Sequence, residues 1–481
     1  MAHRVLVHVQ HAHRAYNHNW PVVNPMRIHI LGICGTFMAG VAQLASALNH
    51  EVSGSDRQYV SPMSGQLDRA GVRLCPVGYR PENLDPAPDL VLVGNALVRG
   101  NPELEAVLDR RLPYESGPAW LGQTVLRSHR VIAVAGTHGK TTTSALIAYL
   151  LDQAGADPGF LIGGVPLDFP VSARLGCGRW FVIEADEYDT AFFDRRPKFL
   201  HYRPWITVLN NLEFDHADLY PDLESLEAVF HELVRSLPTA GHLIVNGGDP
   251  ALARVLAREC HTPLTRCLTG PGAWQVEVLD EAAASFRVIY PNGEVGPVRW
   301  KLRGSHNLAN AVSALAAAGA AGIDPARLTP ALEHFRGVKR RLEVVAEGGG
   351  IRVYDDFAHH PTAIAATLGA LRAEQTAGRL ITVFEPRSNS MKRGVYADTL
   401  AAAFGATDVL YAYDPGLDWK IGDVLGSSAR IFHEPREILG ALRKEIRPGD
   451  QVVFLSNGDF AGSREELFSG LRTFLADRSW P

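Results

Sequence analysis

The sequence predicts an α/β protein of three consecutive units, each an open, mostly parallel sheet with helices on its faces. Three observations carry this expectation. Short apolar runs that end in Gly, Asn or an acidic residue alternate with longer stretches whose apolar residues recur at helical spacing. The alternation restarts near residues 26, 128 and 341. A chain of 481 residues that is 46% apolar is also longer than one core organises, so two to four domains are expected.

Composition narrows the class. The formal net charge is −5 with Lys and Arg scattered, so the chain lacks the basic stripe of a nucleic-acid binder; Lys339, Arg340 and Arg341 are the local exception. Five dispersed cysteines (Cys34, Cys75, Cys177, Cys260, Cys267) form no CxxC pair, which fits a reducing cytoplasm and no structural zinc. No apolar run reaches membrane-spanning length, and a cytoplasmic monomer is expected. Residues 1–25 are rich in histidine, with an alternation too interrupted for a signal peptide; a disordered extension is expected, and Met26 is a candidate start.

In the first unit (26–127), "RIHILGICGTFMAGVAQLASAL" reads as strand, Gly-rich turn and helix, and the strand "EVSGSD" follows. Gly32, Gly35 and Gly40 do not match the dinucleotide spacing G-x-G-x-x-G, yet Asp56 stands at a strand end where an acid commonly reaches a ribose. A sugar nucleotide satisfies both facts, with its pyrophosphate on the amides near Gly35, Thr36 and Phe37 at the helix N-terminus. A packing turn without ligand is the plain alternative. "PDLVLVGNALVRGNPELEAV" adds a buried strand followed by Asn95 and Asn101.

The second unit (128–340) opens with "VIAVAGTHGKTTTSALIAYLL": an apolar strand, a polar turn and a helix. Glycines let amides approach a phosphate, Lys140 can reach outer phosphates, and Thr141 offers a hydroxyl to magnesium. The first glycine is Gly136, where the common phosphate-loop spacing would place it at Val134, so the loop is shortened. "GRWFVIEADEYD" ends its strand at Glu184, which places this carboxylate for magnesium. After "WITVLN", the stretch "NLEFDHAD" brings His216 and Asp215, which can complete a second magnesium shell. "RGSHNLANAVSALAAAGAAGI" puts Asn307 and Asn310 on one face of an alanine-rich helix, for adenine contact or for capping.

The third unit (341–481) follows "FRGVKRRLEVVAEGGG", whose glycines read as a turn beside a hinge. Strands "IRVYDDF", "LITVFEP", "DVLYAY" and "QVVFLSN" alternate with helical stretches and predict a third parallel sheet. "DDFAHHP" ends the first strand with Asp355, Asp356, His359 and His360. No further ligand has zinc-like spacing, so ribose or phosphate contact across the hinge is the expected role.

The set "GTHGKTTT", "EADEYD", "NLEFDH", "GSHNLAN", "FRGVKRRLE" and "DDFAHHP" resembles the Mur ligase family, ATP-dependent amide ligases that build the peptidoglycan peptide. The resemblance runs from Met26 almost to the C-terminus. It implies the three-domain architecture of that family: a Rossmann-like UDP-sugar domain, a central P-loop ATPase domain and a C-terminal Rossmann-like, peptide-binding domain. It implies that Gly136, Thr137, His138, Gly139, Lys140, Thr141 and Thr142 hold ATP, with Lys140 catalytic, and that Thr141, Glu184 and His216 serve Mg2+. Glu184, His216 and Arg341 join Lys140 as catalytic residues; Asn307, Asn310 and Asp356 become adenine or ribose contacts, Arg341 reaches the phosphates, and His359 and His360 line the same cleft. Gly35, Thr36, Phe37, Met38, Asp56, Asn95 and Asn101 become the UDP-sugar site.

Further stretches, "VSGSD", "IEADEYDTAFFDRRPKF" and "FEPRSNSMK" among them, resemble the members that join L-alanyl-γ-D-glutamyl-meso-diaminopimelate to UDP-N-acetylmuramate in murein recycling; ligation of L-alanine to the same sugar is the alternative. Arg387, Ser388, Asn389 and Asn457 are then candidates for the peptide, since an Arg fork suits its carboxylates. Those members usually read "SNGGFGGIH" near the end, whereas this chain reads "SNGDFAGSRE", a departure at Asp459 within the peptide-binding unit.

Overall fold

A computed structural model describes residues 24–280, 284–374 and 378–477. The expected extension falls largely on residues 1–23, outside the described residues. The first sheet has five parallel strands in the order Arg73–Leu74, Glu51–Ser55, Arg27–Leu31, Leu90–Val93, Tyr114–Ser116. Chain order reverses beside Arg27–Leu31, and the Gly-rich turn leaves that strand at its carboxyl end, where open sheets open a crevice for ligands.

The second sheet has seven strands, with Arg130–Ala135 between Ile206–Leu209 and Trp180–Glu184. These strands are continuous apolar runs because helices cover both faces. Their common direction brings three carboxyl ends side by side: the phosphate loop, the acidic stretch and the Asn-rich stretch. Helix Lys140–Gln153 packs against helix Ser305–Ala320 in one apolar cluster. Two antiparallel additions are absent from the sequence reading, a hairpin of Asp189–Ala191 with Asp194–Pro197 and a three-stranded sheet of Gln275–Val278, Ser285–Tyr290 and Gly293–Arg299.

The third sheet orders its six strands Glu343–Gly348, Ile351–Asp356, Gln451–Leu455, Leu380–Phe384, Val409–Tyr413, Ala429–Phe432. The four expected strands pair in parallel, and Glu343–Gly348 adds an antiparallel edge strand that joins Ile351–Asp356 through the expected glycine turn. Gly349 and Gly350 both have positive φ, 59° and 74°, as a two-residue hairpin turn requires. Among the described residues, no helix is long and apolar enough to cross a membrane.

Candidate functional site

The phosphate loop is held from below. Gly139 has φ +78°, and a Cβ there would lie 2.4 Å from Asn310 Oδ1, so only glycine lets the loop close over that asparagine. Asn310 Oδ1 accepts from Thr143 Oγ1 at 3.0 Å, and its Nδ2 donates to Asn307 Oδ1 at 3.2 Å. Asn307 donates in turn to the Arg303 carbonyl at 2.7 Å. Both asparagines are therefore buried under the loop, and their helix begins at Gly304 without a side-chain cap. Thr142 is also buried. Above, Thr137 Oγ1 accepts from the Glu213 amide at 2.9 Å, and the His138 amide donates to Asn211 Oδ1 at 2.7 Å.

Around Lys140 the structure gathers charge. Its Nζ donates to the Gly136 carbonyl at 2.7 Å and pairs with Glu187 at 3.3 Å and Asp186 at 3.6 Å. Burial opposes the charge of Lys140, but the carboxylates of Glu187, Asp186 and Glu184 outweigh it and raise the pKa. Burial also opposes ionisation of Glu187, yet Lys140 and His216 hold its pKa below the usual range. For Glu184 the balance falls the other way: burial, with Asp186 beside it, outweighs the Gly163 amide, Lys140 and Arg341 and pushes it up to about 7. Its Oε2 accepts from Thr141 Oγ1 at 3.2 Å and its Oε1 from the Gly163 amide at 2.7 Å.

His216 has φ +58°, and its Nε2 lies 2.6 Å from Glu187 Oε1. Burial disfavours the imidazolium, but Glu187 and Asp215 prevail and raise its pKa. Thr141 and Glu184 are thus brought together as expected, whereas the described contacts join His216 to Glu187 instead of to Glu184. Glu184 stands out in the sequence as the strand-end carboxylate, whereas nothing local distinguishes Glu187 or Glu213. The one signal for both is position, within a few residues of a carboxyl end of the central sheet.

The third unit reaches this site with several side chains. Arg341 Nη2 donates to Thr141 Oγ1 at 3.4 Å, and its guanidinium lies over the Phe357 ring. His360 Nδ1 is 3.3 Å from Glu213 Oε2, which also lies 3.2 Å from His138 Nε2. Burial and the neighbouring His138 lower His360 to about 4. His359 Nε2 lies 3.9 Å from Asp215. Asp215 is buried and accepts from Ser390 Oγ and from Tyr396 OH, each at 2.7 Å. Burial opposes its charge, but His359, His216 and Ser390 hold its pKa well below the carboxylate range. Asp356 accepts from the Leu342 and Ala358 amides at 2.7 and 2.8 Å, so its carboxylate ties its own loop to the segment that follows Arg341.

At the first unit's turn, Gly35 and Thr36 are exposed and Phe37 is half-buried. Asp56 holds the turn by accepting from the Cys34 amide at 2.8 Å. The Met38 side chain is 5% exposed within the apolar core, because the helix's inner face begins there. Asn95 is exposed, while Asn101 caps helix Pro102–Asp109 by accepting from the Glu103 and Leu104 amides.

Among the peptide candidates, Arg387 is exposed and packs on Gly458, beside Asn457, whose buried Oδ1 has no hydrogen-bond partner among the described residues. Ser388 caps the short helix Asn389–Lys392. Asn389 Nδ2 donates to Asp218 at 2.8 Å, and so ties the third unit to the second.

Three family descriptions match in turn: "Mur ligase family, catalytic domain" over residues 27–129, "Mur ligase middle domain" over 134–318 and "Mur ligase, glutamate ligase domain" over 340–458. The UDP-N-acetylmuramate–L-alanyl-γ-D-glutamyl-meso-2,6-diaminoheptandioate ligase of Escherichia coli K12 is 47% identical, covering 93% of this chain and 98% of its own. The crystal structure of a murein peptide ligase from Psychrobacter arcticus 273-4 aligns with a TM-score of 0.75 at 41% identity, over 93% of this chain and 99% of that one. The UDP-N-acetylmuramate–L-alanine ligase of Rubrobacter xylanophilus is more distant, at 33% identity over 93% of this chain and 100% of its own.

Proposed function

This chain belongs to the Mur ligase family, and on that premise we propose that it joins L-alanyl-γ-D-glutamyl-meso-diaminopimelate to UDP-N-acetylmuramate at the expense of ATP, in murein recycling. The observation that carries the reading is the convergence at Thr141: Glu184 from the central sheet at 3.2 Å and Arg341 from the third unit at 3.4 Å. Lys140 lies in the same loop.

A carboxylate does not condense with an amine unaided, because its oxygen is a poor leaving group. A lactoyl carboxylate oxygen of the sugar attacks the γ-phosphorus of ATP while the bond from that phosphorus to ADP breaks, which makes an acyl phosphate. The peptide amine then attacks the carbonyl carbon, the carbon–oxygen bond to phosphate breaks, and the amine's surplus proton leaves. Lys140 and Arg341 stabilise charge on the moving phosphoryl group, and much of the acceleration comes from holding three reactants in place.

The residues present fit magnesium. Thr141 Oγ1 and Glu184 Oε2 are hard oxygen donors 3.2 Å apart, close to the spacing of neighbouring ligands around this ion. His216 would serve a second such ion in its neutral form, with release of the proton that Glu187 now stabilises. Bound there, magnesium supplies charge neutralisation to the phosphate oxygens.

We assign the UDP-sugar to the turn at Gly35–Phe37 with Asp56, the peptide to the region of Arg387 and Asn457, and ATP to the loop between the second and third units. The reading needs no nucleic-acid or membrane partner and places the reaction in the cytoplasm, with a complete site in one chain. The mass of the product formed from ATP, magnesium, UDP-N-acetylmuramate and either L-alanine or the tripeptide tests it. Tripeptide adduct is expected; adduct with L-alanine alone would favour the other branch of the family.

A further inference from the structure

Lys198 is a second ammonium group at this site, and neither the phosphate loop nor the metal pair uses it. It opens the short helical turn Lys198–His201 directly after the hairpin strand Asp194–Pro197, and its amide donates to the Tyr188 carbonyl at 3.0 Å, so its backbone is fixed. The residue is 6% exposed. Among the described residues its Nζ makes no hydrogen bond; its ion pair is with Asp186 Oδ2 at 3.8 Å. Lys140 lies 3.6 Å from the other oxygen, Oδ1, of the same carboxylate. One aspartate therefore spaces two ammonium groups, of which Lys140 belongs to the phosphate loop.

The surroundings of Lys198 point the other way, toward the first unit. Its Nζ lies 5.5 Å from the ring of Phe37, in the turn assigned to the UDP-sugar, and 5.5 Å from the ring of Tyr188. The stem of Lys198 is buried while its ammonium keeps some contact with solvent, so a ligand that reaches it from the sugar turn can replace that water with a charged acceptor. The acceptor must come from a molecule that reaches from the sugar turn toward Lys140.

We propose that Lys198 binds the lactoyl carboxylate of the muramyl substrate and holds it beside the phosphoryl group that Lys140 steadies. This rests on the muramyl reading above. Two anions, the carboxylate and the ATP terminus, must approach each other in a site that already contains Asp186, and Lys198 supplies the positive charge that permits it. When the carboxylate oxygen attacks phosphorus and the bond to ADP breaks, Lys198 remains protonated and exchanges no proton. It also selects the acid, because an esterified or absent lactoyl group leaves its donors unpaired.

Calorimetric binding of UDP-N-acetylmuramate and of its lactoyl methyl ester to the wild type, Lys198→Met and Lys198→Arg tests the assignment, with ATP binding as the control for folding. The wild type should prefer the acid by roughly 10- to 100-fold, the range of a charged hydrogen bond. Lys198→Met should lose that preference by binding the acid more weakly while the ester is held within about twofold, and Lys198→Arg should keep part of it. Equal weakening of acid and ester by Lys198→Met would overturn the proposal and place Lys198 on the nucleotide diphosphate or in the scaffold. A wild type that binds neither sugar nucleotide would overturn the muramyl reading itself.

Discussion

The first and third units meet the central one through different chemistry. The first shares an apolar cluster with it: Ile28, Leu44 and Trp120 on one side join Leu161, Phe199 and Phe230 on the other. Backbones approach closely there, since a Cβ on Gly122 would lie 2.3 Å from the His201 carbonyl oxygen. The third unit keeps its two apolar clusters to itself and touches the centre through Asp215, Asp218, Glu213 and the Thr141 hydroxyl. Close-packed apolar interfaces do not slide, whereas polar ones open at modest cost. The first two units therefore form one platform that carries the turn at Gly35–Phe37 and the phosphate loop, and the third lies across it through polar contacts and brings Arg341 to Thr141.

The largest expected effect tests the platform. Lys140→Ala should lower ligation by roughly 10³-fold, the scale of losing one preorganised donor to the transition state, while UDP-N-acetylmuramate binds within about twofold of the wild type. Steady-state rates and calorimetry measure both. Parallel loss of sugar binding would mean that the two sites are not independent.

Next comes the apolar interface. Gly122→Val should destabilise by about 3 kcal/mol, because the added carbons meet backbone at His201 rather than a movable side chain. Thermal unfolding that matches the wild type would break the picture of a close-packed platform.

The smallest effect concerns the third unit. Asp215→Asn should cost about 1 to 2 kcal/mol, enlarge the radius of gyration in X-ray scattering, and slow ligation about tenfold with nucleotide affinity preserved. Because the pKa of Asp215 is depressed in the folded chain, its contribution is complete above the unfolded value of about 3.9 and is lost as pH falls through the lower folded value. Scattering of the wild type should therefore stay compact down to about pH 4 and expand below it. Asp215→Asn should be expanded already at neutral pH, with a flatter acid limb.

How much of this was legible depends on sequence distance. The phosphate loop and Glu184 are readable because strand, turn and chemistry are contiguous: "VIAVAGTHGKT" and "WFVIE" announce both the element and its end. Glu187 and Glu213 are not, because their roles arise from Lys140, 47 residues away, and from His138, 75 residues away. Periodicity carries no trace of such pairs. The glycines after Glu347 announce a turn, but that the turn closes a hairpin follows only from the pairing of Glu343–Gly348 with Ile351–Asp356. Met38 shows the converse: it is adjacent to the turn in sequence, while helix rotation carries its side chain to the core.

The order of apolar runs and their polar ends, by itself, determined three parallel-sheet units, a nucleotide loop and the carboxylate opposite it, since each is a local pattern with a local cause. Tertiary structure alone decided which charges meet: that Lys140 and Lys198 share Asp186, that His216 faces Glu187, and that Asp215 receives Ser390 and Tyr396. Electrostatic partnership follows distance in space, and folding sets that distance only when separate strands align their carboxyl ends and a third unit settles across them.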